Sequence, residues 1–441
     1  MSQGSVGEWV LLAVVLLLAV LAWVLLSRRN AALPVDPGTS ELVRGRGGTE
    51  SPGRVWVIAN PSKFDDFETF KAAVAARVLG ETGHLPAFLE TTVEDPGVGQ
   101  AIEALRHEPS LVIAAGGDGT VRAVAAGVAH SGVPMAVLPC GTGNLLARNL
   151  SIPLDLDAAL AVALDRDQRT LDLAWLRMER VSEPPDLPAE GALLGAARAG
   201  EVRELPDGLV EPRDDEFAYV VIAGVGFDGQ TMADTSPEMK KTIGWPAYFL
   251  AALKSLFITR MRATVTIFHE PGQAPPSPGL RRTGRVPQAV EAAVRQSHTL
   301  GAQRSAAPAV ERDENWDMTA VRARTVLFAN CGVLPFAVLA PDAVLDDGLL
   351  DVIAIDTRGG LVGWAYLGVK VMGQSVGLLP VNVKNDWGTI QFRQTHEARV
   401  DMDSPYPVQI DGDPVGSART VIVRACKGAL EIRVPSGTLE S

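Results

Sequence analysis

Cysteine is scarce and scattered, with only Cys140, Cys331 and Cys426 in 441 residues. Three distant cysteines cannot build a disulfide framework, and the six histidines form no ligand-spaced cluster with them, which excludes a structural zinc site. Positive charge is also in deficit. Forty Lys and Arg against 52 Asp and Glu leave a formal charge of −12, so no surplus of cations is available to neutralise nucleic-acid phosphates. Nucleic acid is therefore not an expected partner. Reducing cytosol suits the bulk of such a chain.

What the chain does have is apolar material, at 47% of residues, and enough length for two domains. Trp9 to Leu26 is an uncharged run, WVLLAVVLLLAVLAWVLL, with tryptophans near both ends. At about 1.5 Å per residue it covers roughly 27 Å, which is enough to cross a bilayer core. Glu8 precedes it, and Arg28 and Arg29 follow. The positive-inside rule then predicts a single-pass cell-membrane protein with its N-terminus outside and everything after Arg28 in the cytoplasm. Residues 1–30 are read as this transmembrane anchor, and 31–53, rich in Pro, Gly, Ser and Thr, as a linker.

From residue 54 strands and helices alternate. Arg54–Ala59 is an apolar strand closed by Asn60-Pro61-Ser62, and Phe67, Phe70, Val74, Val78 and Leu79 follow at helical spacing. Further strands are predicted at Pro86–Thr92, Leu111–Ala115 and Pro134–Leu138, with helices over about 97–107 and 120–130 between them. This alternation predicts a parallel α/β domain over 54–165. Beyond it the texture turns to strand-like runs at 171–177, 217–223, 262–268, 322–330, 349–355, 389–393, 397–400 and 420–424, with one helical stretch at Ile243–Phe257. A β-rich second domain over 166–435 follows, with its last strand able to return to the first domain. The segments 179–215 and 270–318 read as disordered insertions.

Two glycine turns carry the chemistry. Gly116-Gly117-Asp118-Gly119-Thr120 lies between a strand and a helix, where glycines let backbone N–H groups approach a polyphosphate and the helix adds its positive end. A hairpin at Asp118-Gly119 fits badly, because VRAVAAGVA after it has helical spacing. Pro139-Cys-Gly-Thr-Gly-Asn144 closes the next strand, at the same carboxyl edge of the sheet, where open α/β folds bind ligands. Taken alone, the second turn reads equally as a plain tight turn or as Thr142 and Asn144 offering a hydroxyl and an amide to a nucleotide. Two in succession predict a phosphate cradle.

These motifs are followed by Leu171-Asp172-Leu173, Ala223-Gly-Val-Gly-Phe-Asp228, Ala340-Pro-Asp-Ala, Asp346-Asp347-Gly348-Leu349-Leu350-Asp351 and Ile410-Asp411-Gly412-Asp413. In this order, over about 54–435, the set resembles the diacylglycerol kinase catalytic-domain family, which includes bacterial lipid kinases, sphingosine kinases and ceramide kinases. The Gly-Gly-Asp-Gly-Thr turn also occurs in NAD kinases, so the motifs of the second half carry the resemblance.

The resemblance implies an NAD-kinase/diacylglycerol-kinase-like α/β domain followed by a β-rich, sandwich-like domain. It implies a kinase that uses ATP and Mg²⁺ to phosphorylate a diacylglycerol-like lipid, giving phosphatidic acid or an analogue, with the membrane as a partner and a homodimer as one assembly. Nucleotide contacts are implied for Asn60, Pro61, Ser62, Lys63 and Phe64, for Thr91 or Thr92, for Gly116, Gly117, Asp118, Gly119, Thr120, Val121 and Arg122, and for Gly141, Thr142 and Asn144. Asp118 and Asp172 match carboxylates of a water-linked Mg²⁺ network. Asp347, with the carbonyls of Val344 and Leu349, matches a structural Mg²⁺ site. Asp413 stands at the family's proton acceptor beside Asp411, and either could act on the hydroxyl.

Two positions depart from the pattern. Leu145 stands where a third network carboxylate is usual, and Asp413 replaces a glutamate. These departures leave open a membrane-tethered nucleotide-binding regulator with weak catalysis, and the shared first glycine turn leaves open an NAD-kinase-like kinase of a soluble metabolite.

Overall fold

The computed structural model describes residues 53–182, 216–226, 260–268, 310–312, 316–334, 337–338, 340, 343–357 and 388–436. The first half alternates β1 (Val55–Ala59), α1 (Phe67–Thr82), β2 (Ala87–Glu90), α2 (Val98–Leu105), β3 (Leu111–Gly116), α3 (Asp118–Val128) and β4 (Met135–Pro139), then two short helices, α4 (Leu145–Asn149) and α5 (Leu156–Leu164). The order β2-β1-β3-β4 is parallel throughout. Every residue of β3 is buried, as expected of a parallel strand covered on both faces. Local chemistry sets the helix ends. Asp66 caps α1 by accepting the Thr69 N–H, and Asp155 caps α5 by accepting that of Ala158.

The second half is antiparallel. It contains β5 (Gln168–Ser182), β6 (Glu216–Tyr219), β7 (Ile222–Val225), β8 (Met261–Phe268), β9 (Val310–Arg312), β10 (Trp316–Ala323), β11 (Thr325–Ala329), the two-residue pair β12 (Val333–Leu334) and β13 (Ala337–Val338), β14 (Leu350–Thr357), β15 (Gly388–Thr395), β16 (Glu397–Ile410) and β17 (Asp413–Arg433). Strand β17 unites the halves. It pairs with β16 at its start, with β5 along its length, and reaches β4 in parallel where Ile432 meets Met135. One sheet thus runs through both halves, with a core on each side of the junction. Ala218, Val220, Val221 and Ile222 belong to the core of the first half, so the β6–β7 corner packs beneath the α/β layer.

Three expectations change. Helix α3 begins at Asp118, two residues earlier than its apolar spacing indicates, because the glycine turn itself supplies the first helical turn. Strands β9 and β10 fall partly in the stretch 270–318 that reads as an insertion. Trp316–Ala323 alternates buried and exposed positions at its end, the period-2 signal of a strand.

The third change concerns the membrane. The expected single-pass localisation is corrected, since no helix among the described residues is long and apolar enough to cross a bilayer. The longest, α1, has 16 residues and carries Glu68, Lys71, Arg77 and Glu81, whereas a span needs about 20 apolar residues. The run Trp9–Leu26, the linker 31–53, the helical stretch Ile243–Phe257 and most of the segments 179–215 and 270–318 lie outside the described residues.

Candidate active site

The carboxyl ends of β1, β3 and β4 meet in one place. The Asn60 N–H donates to the Ala115 carbonyl at 3.0 Å, and the Cys140 N–H to the Gly116 carbonyl at 2.9 Å, so three consecutive strand ends stay in register as their loops begin. The two glycine turns then touch backbone to backbone. A Cβ on Gly141 would lie 2.6 Å from the Gly117 Cα, a distance no side chain tolerates. The stem of Lys63 reaches the same spot, its Cε 3.6 Å from where a Gly117 Cβ would sit. Backbone and one cation therefore line a shallow cradle at the positive end of α3.

Other expected contacts have structural duties. The Asn60 side chain accepts from the Ser62 N–H at 3.0 Å and from its hydroxyl at 2.7 Å, shaping the turn Pro61–Lys63. The Phe64 ring packs against Phe70 of α1, with centroids 3.9 Å apart, and pins that turn to the helix. Thr91 is buried, and its N–H donates to the Ala59 carbonyl; the Thr92 hydroxyl accepts the Asp95 N–H. Thr120 is buried behind Gly116, Val121 faces the core, and Thr142 is exposed at the rim. The amide of Asn144 closes its own turn instead of pointing outward. Its Oδ1 accepts from the Gly141 N–H at 2.9 Å and its Nδ2 donates to the Gly141 carbonyl at 2.8 Å. With φ at +48°, Asn144 occupies the left-handed region, which asparagine enters more readily than most residues.

Asp118 ties the cradle together. Its Oδ2 accepts the Asn144 N–H and its Oδ1 the Leu145 N–H. Burial pushes its carboxyl up to about 6 against those two bonds, and the negative charges of Asp411 and Asp413 push the same way.

Asp411 and Asp413 come from the far half, on the hairpin between β16 and β17. Ile410 pairs with Asp413, so Asp411-Gly412 is a two-residue turn with φ of +46° and +91°, the mirror-image type that suits twisted hairpins. The two carboxylates differ sharply in environment. The Asp411 side chain is 2% exposed and accepts from the N–H groups of Val220, Val221 and Ile222 at 3.1, 2.9 and 3.0 Å. It staples the hairpin to the β6–β7 corner. The Asp413 side chain is 55% exposed, with its Oδ2 only 3.4 Å from where a Cβ on Gly119 would be. One acceptor-side carboxylate thus overhangs the start of α3.

Arg122 departs from expectation. Its guanidinium donates to the Ile410 carbonyl at 3.1 Å and to Asp413 Oδ2 at 2.9 Å, beside the start of α3, where a Cβ on Gly119 would lie 3.8 Å from it. A lone arginine in the apolar run VRAVAAGV was the available signal, since a buried guanidinium demands partners.

The metal expectation divides in two. Asp172 is fully buried, and its oxygens accept the N–H groups of Gly348 at 2.6 Å and Gly428 at 2.7 Å. Burial raises its carboxyl to about 7, with Asp347 and Asp346 adding to the rise. The carboxylates that act on it thus differ from those acting on Asp118, and Asp172 belongs with the 344–349 loop. There Asp347 Oδ1 accepts the Leu349 N–H at 2.9 Å, and the loop is held by hydrogen bonds to carboxylates. Among the described residues no three His, Cys, Asp or Glu side chains gather into a metal cage. The expected site of Asp347 with the carbonyls of Val344 and Leu349, beside Asp172, is of another kind, one or two carboxylates with carbonyls and water, which suits a hydrated Mg²⁺. Asp118 fits a cation that arrives with phosphates. It is a partly buried carboxylate that feels the charges of Asp411 and Asp413 and adjoins an anion cradle, and Mg²⁺ commonly binds one or two carboxylates plus substrate phosphates and water.

Residues 54–176 match the model of the diacylglycerol kinase catalytic domain. Over this stretch the chain is similar to the diacylglycerol kinase catalytic-domain family. A Pseudomonas aeruginosa protein named "Probable lipid kinase YegS-like" is 29% identical over 378 residues, covering 84% of this chain and 91% of that one. A protein of the same name from Pseudomonas putida is 25% identical over 338 residues, 76% of this chain and 81% of its own. Among solved structures, one from Bacillus anthracis superposes with a TM-score of 0.55 at 15% identity, covering 89% of this chain and 99% of that one. A second from that organism, described as a diacylglycerol kinase, gives 0.50 at 14% identity, covering 88% and 98%. At such identities these two show the family fold alone.

Proposed function

We propose that this chain is a lipid kinase that transfers the γ-phosphate of ATP to the hydroxyl of a diacylglycerol-like lipid, giving phosphatidic acid or an analogue. The match of residues 54–176 to the diacylglycerol kinase catalytic domain and the lipid-kinase name of its relatives support the reading. The observation that carries it is the overlap of Asp413 with the start of α3. A phosphate held at the Gly117–Gly141 contact would face a solvent-accessible carboxylate across one opening, with Asp413 Oδ2 beside Gly119.

The chemistry asks for position and charge more than for a strong base, because phosphoryl transfer passes through a loose transition state. Backbone N–H groups of the two turns, the α3 terminus and the Lys63 ammonium would hold the triphosphate. Mg²⁺ bound at Asp118 would supply further neutralisation of phosphate charge. Asp413, free of the structural duties of Asp411, would accept the hydroxyl proton as the new O–P bond forms and the bond to ADP breaks. Asp411 would act only by fixing the hairpin.

The test is a lipid panel. Purified protein is given γ-labelled ATP with diacylglycerol, a sphingoid base or ceramide, and NAD in a separate arm. Label is expected in diacylglycerol. Label in none of the lipids overturns the reading, and label in NAD alone replaces it with a soluble-metabolite kinase.

A further inference from the structure

We infer that Arg122 is a positioning residue, which acts through Asp413 by locking that carboxylate over the phosphate cradle. The inference rests on the proposed phosphoryl transfer. Arg122 sits on α3 one turn after Asp118, so the helix that opens with the cradle also carries the guanidinium. The residue is 6% exposed, and a buried guanidinium is stable only with well-placed acceptors. The acceptors all lie on one distant hairpin, namely the Ile410 carbonyl at 3.1 Å, Asp413 Oδ2 at 2.9 Å and, further out, Asp411 Oδ2 at 3.9 Å.

Each partner is fixed for its own reason. The hairpin cannot swing, because Asp411 holds three N–H groups of the β6–β7 corner. The helix cannot slide, because Thr120 through Val128 are buried. Asp413 alone has freedom, being more than half exposed, and an exposed aspartate would otherwise sample several rotamers. The guanidinium occupies Oδ2 and leaves Oδ1 for an acceptor hydroxyl. The carboxylate and the phosphates are then referenced to the same helix, and about 1 Å of drift between reacting groups can slow a reaction about 100-fold.

The experiment is a double-mutant cycle on the full chain, with Arg122→Met, Asp413→Asn and the pair, reading kcat and the KM for ATP with the accepted lipid. Arg122→Met is expected to lower kcat about 10- to 100-fold, with the KM for ATP moving less than about threefold. In the Asp413→Asn background the same substitution is expected to cost almost nothing further, because its only route to the chemistry is gone. A hollow lined by Pro96, Val98, Gly119 and Ala218 adjoins the side chain, so guanidinium ion is expected to restore part of kcat to Arg122→Ala. If Arg122→Met does not fold, Arg122→Lys carries the cycle, keeping the charge but reaching fewer acceptors. Equal losses in both backgrounds overturn the inference, as does a raised KM for ATP at unchanged kcat. Wild-type protein that labels no lipid overturns the kinase reading and this inference with it, an outcome distinct from an active wild type with an additive cycle.

Discussion

The backbone N–H of Asn144 donates to Asp118 Oδ2 across 3.0 Å, so the residue that opens α3 also holds the second glycine turn against the first. Its other oxygen takes the Leu145 N–H. Removing the carboxylate leaves two buried donors without acceptors and lets the cradle open. Asp118→Ala is therefore expected to weaken ATP binding and to lower turnover together, by about 100-fold or more in kcat, the scale of losing a pre-organised electrostatic contact. Calorimetric titration with ATP alongside steady-state rates checks both halves. Undiminished lipid phosphorylation would remove Asp118 from the site.

The two acidic residues of the hairpin are expected to separate by phenotype. Asp413→Asn should lose less stability than Asp411→Ala, because its amide oxygen can still accept from Arg122 and the side chain is more than half solvated, while kcat falls on the order of 100- to 10,000-fold as the proton acceptor is lost. Asp411→Ala should behave in the opposite sense. Three N–H groups lose their acceptor, each at about 1–3 kcal/mol, so urea unfolding should show a loss of about 3 kcal/mol or more. An Asp411→Ala protein of wild-type stability but without activity would reverse the two roles.

What the sequence disclosed follows from how local each signal is. Strands β1, β3 and β4 are short apolar runs, each closed by a polar or glycine turn, so both their existence and the convergence of Asn60, Gly117 and Gly141 could be read directly. The hairpin at Asp411-Gly412 was legible as a turn, but its partners Val220–Ile222 stand about 190 residues away and no spacing rule links them. The resemblance implies nucleotide contacts for Asn144 and Arg122. In the fold both are engaged with protein atoms, the first inside its own turn and the second across to the other half. The family resemblance links Asp172 with Asp118, and the fold adds what no spacing gives, that the N–H groups of Gly348 and Gly428 hold Asp172 beside the 344–349 loop. Where contacts cross from one half to the other, pattern gives the participants and packing gives the pairs.

Gly117 and Gly141 make a sharper test of the cradle, because they face each other asymmetrically. A Cβ on Gly141 would lie 2.6 Å from the Gly117 Cα, and neither backbone can retreat from its strand end. Gly141→Ala is expected to lose stability by about 1–3 kcal/mol, the usual cost of overpacking, as well as ATP affinity. A Cβ on Gly117 has its nearest neighbours at 3.6 Å and fits without strain. Gly117→Ala should therefore melt as the wild type does while raising the KM for ATP, since the added methyl fills space above the cradle. Equal ATP affinity in Gly117→Ala and wild type would place the phosphates elsewhere.

The two buried carboxylates away from the hairpin set an expectation for pH. Burial raises Asp172 to about 7 and Asp118 to about 6, from an ordinary value of 3.8 that the unfolded chain would show. Between about pH 4 and 7 the folded protein therefore holds protons that the unfolded chain has already released. Stability must then fall as pH rises through that window and level off above it, because the slope follows the difference in bound protons. Urea midpoints in metal-free buffer should decline from pH 5 to pH 7.5. Asp172→Asn cannot release that proton, so its decline should be shallower, even though the variant is weaker at every pH for want of one acceptor for Gly348 or Gly428. Parallel slopes in wild type and Asp172→Asn would mean that Asp172 is ionised in the fold at neutral pH and that its N–H donors outweigh its burial.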